Sequence, residues 1–298
     1  MAKQPRQRSR SPATKQKTLN LQELGAGGIQ RLLRNGCDTV LVPIGSCERH
    51  GNPFTPLGLD GLITEAVTAR AARKAQVLVS PLLPFGYAPH HMGRAGEGCG
   101  TITLRVETYR RLLEDIARSL IYHGFNKIIF VSFHSFNVTK AEEVLLSLRH
   151  RTGAFVAFYG GRESDRAREI LGSPPERLAS DFEAALAMAL LGKSFTRRQY
   201  LAHSYQVHAP TWLGPAFSKR AGTGMAVAFE NAENITLGMD DFEFVKPLAH
   251  AVPARSKATP EKGRRLLDEL SDHLAAFARQ ARKIDVTVGR RDFSDRAR

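Results

Sequence analysis

Within GSCERHGNPFTPLGLD, residues 45–60, Glu48 and His50 stand two positions apart, and a loop of proline and glycine leads to a second carboxylate, Asp60. Two further residues of the same chemical types stand out. His134 follows a long apolar run, and Glu183 lies in the helical pattern LASDFEAALAMALL, where an unpaired carboxylate would be costly to bury. Taken singly, Asp60 would serve as a helix N-cap and His134 as a hydrogen-bonded strand-end histidine. Taken together, three carboxylates and two imidazoles without a thiolate suit Zn²⁺, Mn²⁺ or Fe²⁺, and a carboxylate able to bridge suits a two-metal site.

Such a set works only if the fold gathers it. Apolar runs at 38–45, 75–83, 127–133 and 154–160 read as buried strands, and residues 61–75, 106–124 and 139–153 carry apolar positions at helical spacing. Gly124 reads as the C-cap of the second of these helices. Further helices are expected at 175–192 and 260–283, the latter opening on Thr259 as N-cap and Pro260 at N1. Strand and helix in alternation predict an α/β protein with a mostly parallel sheet covered by helices on both faces. Ligands of such sheets collect beyond the carboxyl ends of the strands, where Glu48, His50 and His134 would converge. Strand alternation would turn Arg49 away from them. Residues 193–258 are less regular and read as an insertion or rim around a site, with no repeat or linker that divides the chain.

The 298 residues carry 43 Lys+Arg against 29 Asp+Glu, a net charge of +14. Lys3, Arg6, Arg8, Arg10, Lys15 and Lys17 lie in an opening stretch without acids. Residues 1–20 therefore read as a disordered basic arm, chiefly a solubilising leader and alternatively a contact for nucleic acid. No apolar stretch approaches a membrane span, so a soluble, cytoplasmic protein is expected. Cys37, Cys47 and Cys99, odd in number and without a CxxC pair, argue against a disulfide framework.

PIGSCERHGNPFTPLGLD is similar to the signature of the creatininase (creatinine amidohydrolase) family. The resemblance continues through PFGYAPHHMG, GTITL, GFNKIIFVSFHSFN and ATPEKGRRLLD, roughly residues 37–282. It implies a three-layer α/β/α sandwich, with one domain over 21–285 between the arm and a basic tail at 286–298. It also implies two divalent ions per chain, zinc and/or manganese with iron as a further candidate, and a cytoplasmic homo-oligomer, a hexamer by analogy.

Carried over by position, Glu48, Asp60 and His134 would hold one ion, and His50, Asp60 and Glu183 the other. The implied reaction is hydrolysis of a cyclic amide or another small C–N substrate by a hydroxide bridging the metals. Leu178 stands where the family has a histidine near the substrate, so the proton for the leaving group would come from His91 or Glu183. Tyr87, His91, Ser135, Phe136 and Trp212 are the candidate substrate contacts. Ser135 and Phe136 replace a glycine pair, Phe54 and Thr55 occupy a loop where relatives commonly have another histidine, and the Glu48–Asp60 spacing is one residue longer than usual. The alternatives are C–C hydrolysis of a cyclic ketone at the same centre, and a catalytically silent ligand-binding member.

Overall fold

A computed structural model describes residues 18–160, 164–203, 205–220, 224–230, 234–247 and 256–293; most of the basic arm, 1–17, and the end of the tail, 294–298, lie outside the described residues. The first half is a regular alternation: α1 (Ala26–Arg34), β1 (Thr39–Pro43), α2 (Leu59–Ala75), β2 (Leu78–Val79), α3 (Val106–Tyr122), β3 (Lys127–Ser132), α4 (Ser135–Thr152) and β4 (Phe155–Gly160). The four strands pair in the order β2-β1-β3-β4, all parallel.

Side-chain alternation along these strands builds two separate cores. Val40, Val42, Ile128 and Phe130 pack with Tyr109 and Leu113 of α3 and with Ala141 and Leu148 of α4. Leu41, Ile129 and Val131 face the opposite layer, formed by α2 together with α5 (Asp165–Leu171), α6 (Leu178–Leu191) and α9 (Pro260–Ala281). Because both faces are covered, β1 and β3 are apolar except for Thr39, Lys127 and Ser132 at their ends.

α9 opens as its sequence predicts: the Thr259 side chain accepts from Lys262 N, and Pro260 fills the first turn. At the end of α3 the C-cap is His123, and Gly124 follows at φ 106°, a conformation that favours glycine. The second predicted strand is much shorter than 75–83. Ala75 still belongs to α2, and Pro81, which has no N–H, interrupts the pairing. α4 begins earlier than expected, with His134 as its N-cap.

The segment that looked irregular is a cap. It comprises α7 (Arg197–Leu201), β5 (Tyr205–Val207), β6 (Phe217–Ser218), β7 (Ala226–Phe229), β8 (Asn234–Thr236), α8 (Asp241–Phe244) and β9 (Val245–Pro247). β5 pairs with β9, and β6, β7 and β8 form a second small antiparallel sheet. Val227, Met239 and Phe244 form its own core. Among the described residues, no helix is long and apolar enough to cross a membrane, and all three cysteines are free.

The layer of α6 and α9 depends on one close approach. A Cβ at Gly263 would overlap the Ala185 carbonyl and stand 2.8 Å from the Ala189 Cβ. Gly263→Ala is expected to lower stability by roughly 1–3 kcal/mol, because two helix backbones must separate. Denaturant unfolding of the variant against wild type measures the loss.

Candidate metal centre

β1 ends in a sharp departure that depends on two glycines. A Cβ at Gly45 would lie 2.7 Å from the Gly61 Cα, so the absence of side chains lets the first turn of α2 pack against the strand end. Asp60 therefore points over that edge. It is the second residue of α2 and not its N-cap, which is Gly58. Between β1 and α2, the Glu48 N–H donates to the Leu57 carbonyl at 2.8 Å, and Asn52 Nδ2 donates to the Tyr200 carbonyl at 3.0 Å. His134 follows β3 after one residue, Phe133, so two adjacent strand ends and one helix N-terminus converge.

One ligand atom each from Glu48, His50 and Asp60 lie within 4.8 Å of one another. His134 joins them from the side: its Nδ1 is 3.0 Å from Glu48 Oε2 and 3.4 Å from Asp60 Oδ2. His134 Nε2 lies 2.9 Å from the Tyr87 carbonyl, which can only accept. Nε2 thus carries the proton, and in the neutral ring the Nδ1 lone pair faces the carboxylates. His50 Nδ1 stands 3.7 Å from Glu183 Oε2, and Ser46 Oγ donates to Asp60 Oδ2 at 2.7 Å. The five predicted ligand residues are brought together.

Glu48 Oε2 and His50 Nε2 are buried without a hydrogen-bond partner; the 3.0 Å approach of His134 to Glu48 lacks hydrogen-bond geometry. Orphaned buried polar atoms are costly, and a cation would satisfy both. The donors, carboxylate and imidazole, fit Zn²⁺, Mn²⁺ or Fe²⁺.

Electrostatics point the same way. Burial disfavours the charged form of His134, but the Glu48 and Asp60 carboxylates outweigh it and raise its pKa to about 10. His50 is likewise opposed by burial and raised to about 9, chiefly by Glu183. Burial alone would raise the Asp60 pKa, yet contacts from His134, His50 and Ser46 hold it far below the carboxylate range. Without a bound ion, protons on His134 and His50 would balance these carboxylates. The stability these imidazolium pairs add is fully present below about pH 6.5 and is lost as the pH rises through about 9 to 10. Metal must displace those protons, so metal affinity is expected to rise from pH 6.5 towards 9, by about tenfold per unit for each proton released. Calorimetric titrations with Zn²⁺ in buffers of different ionisation enthalpy count the protons, and release that does not fall as the pH approaches 10 contradicts the assignment.

Facing this cluster is a group the sequence showed only in part. His91 Nε2 lies 3.7 Å from Glu48 Oε1, and its Nδ1 lies 3.4 Å from Asp241 Oδ2. Asp241, at the start of α8, is paired with Arg49 through Nη2 and, at 3.3 Å, through Nε. Arg49 does not turn away from the site as alternation predicts: past β1 the chain is a loop, and the guanidinium reaches Asp241 and Glu97. Burial would raise the Asp241 pKa, but hydrogen bonds from His91 and Arg49 hold it low. His90 packs behind, 4.2 Å from the His91 ring and 3.8 Å from Phe136. Burial, assisted by His91 and His134, pushes its pKa down to about 3, so it is neutral.

The cluster lies at the base of a cavity of about 760 Å³ between sheet edge and cap, lined also by His91, Ser135 and Phe136. Two predicted substrate contacts lie outside its lining. The Tyr87 ring packs against the α3–α4 core and under the Lys140 ammonium, so only its carbonyl serves the site. Trp212 is 62 % exposed, and its Nε1 donates to Glu243 Oε1 at 3.0 Å. Leu178 is buried in the α2–α6–α9 core, also away from the lining. Asp241, Tyr205, His203 and His208 also line the cavity, and no sequence motif marks them, because they come from the cap. Asp240 and Glu243 form a capping box, the one local signal that α8 begins there.

The family model described as "Creatininase: Creatinine amidohydrolase" matches residues 23–278. Creatinine amidohydrolase of Pseudomonas putida is 30% identical over 96 residues, 32% of this chain and 36% of that protein. A 3-dehydro-scyllo-inosose hydrolase of Thermotoga maritima is 30% identical over 99 residues, 33% of this chain and 30% of its own length. A mycofactocin precursor peptide peptidase of Mycobacterium ulcerans is 32% identical over 120 residues, 37% of this chain and 46% of its own. These alignments thus span under half of each relative. A crystal structure of creatinine amidohydrolase superposes with a TM-score of 0.65 at 21% identity, covering 91% of this chain and 100% of that one. A creatininase mutant complexed with creatine gives 0.64 at 20% identity, covering 90% and 100%. Other matched creatininase structures are described as Zn-Zn and Mn forms.

Proposed function

The chain belongs to the creatininase family, and from that premise we propose that it is a metal-dependent hydrolase cleaving a C–N bond of a cyclic amide or another small amide. The observation that carries this reading is the convergence of Glu48, His50 and Asp60, two of them with buried, partnerless ligand atoms. In this reading Glu48, Asp60 and His134 hold one divalent ion and His50, Asp60 and Glu183 a second, within a single domain over 21–285 that is cytoplasmic and homo-oligomeric. Zinc or manganese suits the donor set best.

When bound, such ions supply an ionised water and polarise a substrate carbonyl near neutral pH. The chain's own residues do the rest. Ser46 fixes one Asp60 oxygen by a hydrogen bond of 2.7 Å. The Tyr87 carbonyl fixes the His134 tautomer, so that Nδ1 is the atom offered. Phe133 and Phe136 line the cavity and reduce the water around the reacting bond. Asp241 orients His91 through Nδ1 and leaves Nε2 facing the cluster. Cleavage of an amide leaves an amine that must take up a proton; with Nδ1–H given to Asp241, His91 Nε2 can accept the proton that the attacking water loses and hand it to the amine.

C–C hydrolysis of a cyclic ketone at the same centre is the second reading. It draws on Leu178, since a reaction without an amine leaving group has no need of the family's histidine. The position of His91 favours the first. Elemental analysis of the purified chain tests the whole proposal: about two tightly held transition ions per chain are expected, with amide hydrolysis abolished by chelation and restored by Zn²⁺ or Mn²⁺. A protein that holds no such ions and ignores a chelator overturns it.

A further inference from the structure

The cavity is lined in two chemically different zones. At its base lie the carboxylates and imidazoles of the metal centre. Nearer solvent its lining holds the exposed Arg94, Lys246 and Glu97, and Asp241 lines it from a buried position. Both of those carboxylates are engaged by Arg49. The upper zone is therefore cationic.

Arg94 and Lys246 carry the argument. Both are exposed and line the cavity, and among the described residues neither has a carboxylate within ion-pair distance. The Arg94 guanidinium carbon sits 4.9 Å from the centre of the Phe242 ring, which fixes the group while leaving its edge of donors open. Lys246 is on β9, held in register opposite Gln206 of β5, so its charge projects from an ordered strand pair. One comes from the loop between β2 and α3 and the other from the cap, so they approach the cavity from different elements.

Size is an independent indication. About 760 Å³ falls in the range of drug-sized ligands, roughly 300–1,000 Å³, and exceeds what a single small ring would fill. A substrate that reaches the metal centre and still fills the cavity extends up to the cationic zone.

We propose that the substrate of this hydrolase carries an anionic oxyacid group, carboxylate or phosphate, remote from the scissile bond, and that Arg94 and Lys246 hold it at the cavity mouth. The inference rests on the hydrolase reading for the word substrate, but the anion site itself does not. Oxyacid anions suit these partners, because guanidinium and ammonium donors make charge-assisted hydrogen bonds to either group.

The test measures binding of inorganic phosphate and, separately, of succinate to the full metal-loaded chain by calorimetry. The Arg94→Gln/Lys246→Gln double variant is expected to weaken the tighter-bound anion roughly fivefold or more with metal content unchanged, because both charge-assisted partners are removed. Whichever anion binds more tightly assigns the group as phosphate or carboxylate. Asp60→Asn, which removes the metal centre, is expected to keep this binding. Unchanged affinity in the double variant overturns the proposal, as does binding that vanishes in Asp60→Asn but survives in the double variant, since the anion would then sit on the metals. A wild type that binds the anion through Arg94 and Lys246 but hydrolyses no amide would count against the hydrolase reading alone.

Discussion

Asp60→Asn is expected to strip the protein of tightly held metal and to lower amide hydrolysis by at least about a thousandfold, while the chain stays folded. The reason lies in what one side chain is asked to do. Asp60 is 4 % exposed, accepts from Ser46 Oγ and lies 3.4 Å from His134 Nδ1. Under the proposed assignment its two oxygens serve two cations. Asparagine keeps the shape and one oxygen, but replaces the other with an NH₂ group that can only donate. That donor would face either a cation or the lone pair of a ligand, and neither site would be complete. The substitution leaves the α2 first turn and the Gly45–Gly61 contact intact, so loss of metal is not loss of fold. Elemental analysis and circular dichroism on the same sample separate the two, and an Asp60→Asn protein with the wild-type metal content contradicts the bridging role.

Much of this centre is legible in the sequence because its parts lie next to apolar runs whose structure is forced. β1 and β3 are continuous buried strands, so Glu48, His50 and His134 had to fall at their carboxyl ends. Asp60 stands beside Glu48 and His50 for a reason that the sequence shows only in part. It read as an N-cap, yet α2 starts at Leu59, because two glycines let the helix approach the strand more closely than side chains would permit.

What the sequence did not reveal lies where contacts are long-range. Asp241 and Arg49 are 192 residues apart, and no local pattern links a carboxylate in an irregular stretch to an arginine between two candidate ligands. Strand alternation failed for Arg49 because it applies only while the chain is a strand. Tyr87 and Trp212 read as pocket walls by residue type, but aromatic type does not say which side of a loop faces a cavity. One ring went to the core and the other to solvent, where its indole found Glu243.

The His91–Asp241 pair leads to the second large effect. His91→Gln is expected to lower kcat for an unactivated amide by about 10²–10⁴, the usual contribution of a general acid, with metal content and KM little changed. A merely structural role predicts something else, and the leaving group tells the two apart. An amine that leaves poorly needs its proton in the transition state, whereas an activated anilide leaves without it. The deficit of His91→Gln should therefore shrink as the leaving group improves. Asp241→Asn should show the same trend with a smaller loss, since His91 would keep its place near Glu48 and lose only the partner at Nδ1 that fixes its tautomer. Arg49, which holds Asp241 from the far side, would then act through two intermediaries and lose least. A deficit equal for all leaving groups, or a loss of metal on replacing His91, would place this histidine in the scaffold of the site and return proton transfer to Glu183, which stands 3.7 Å from His50.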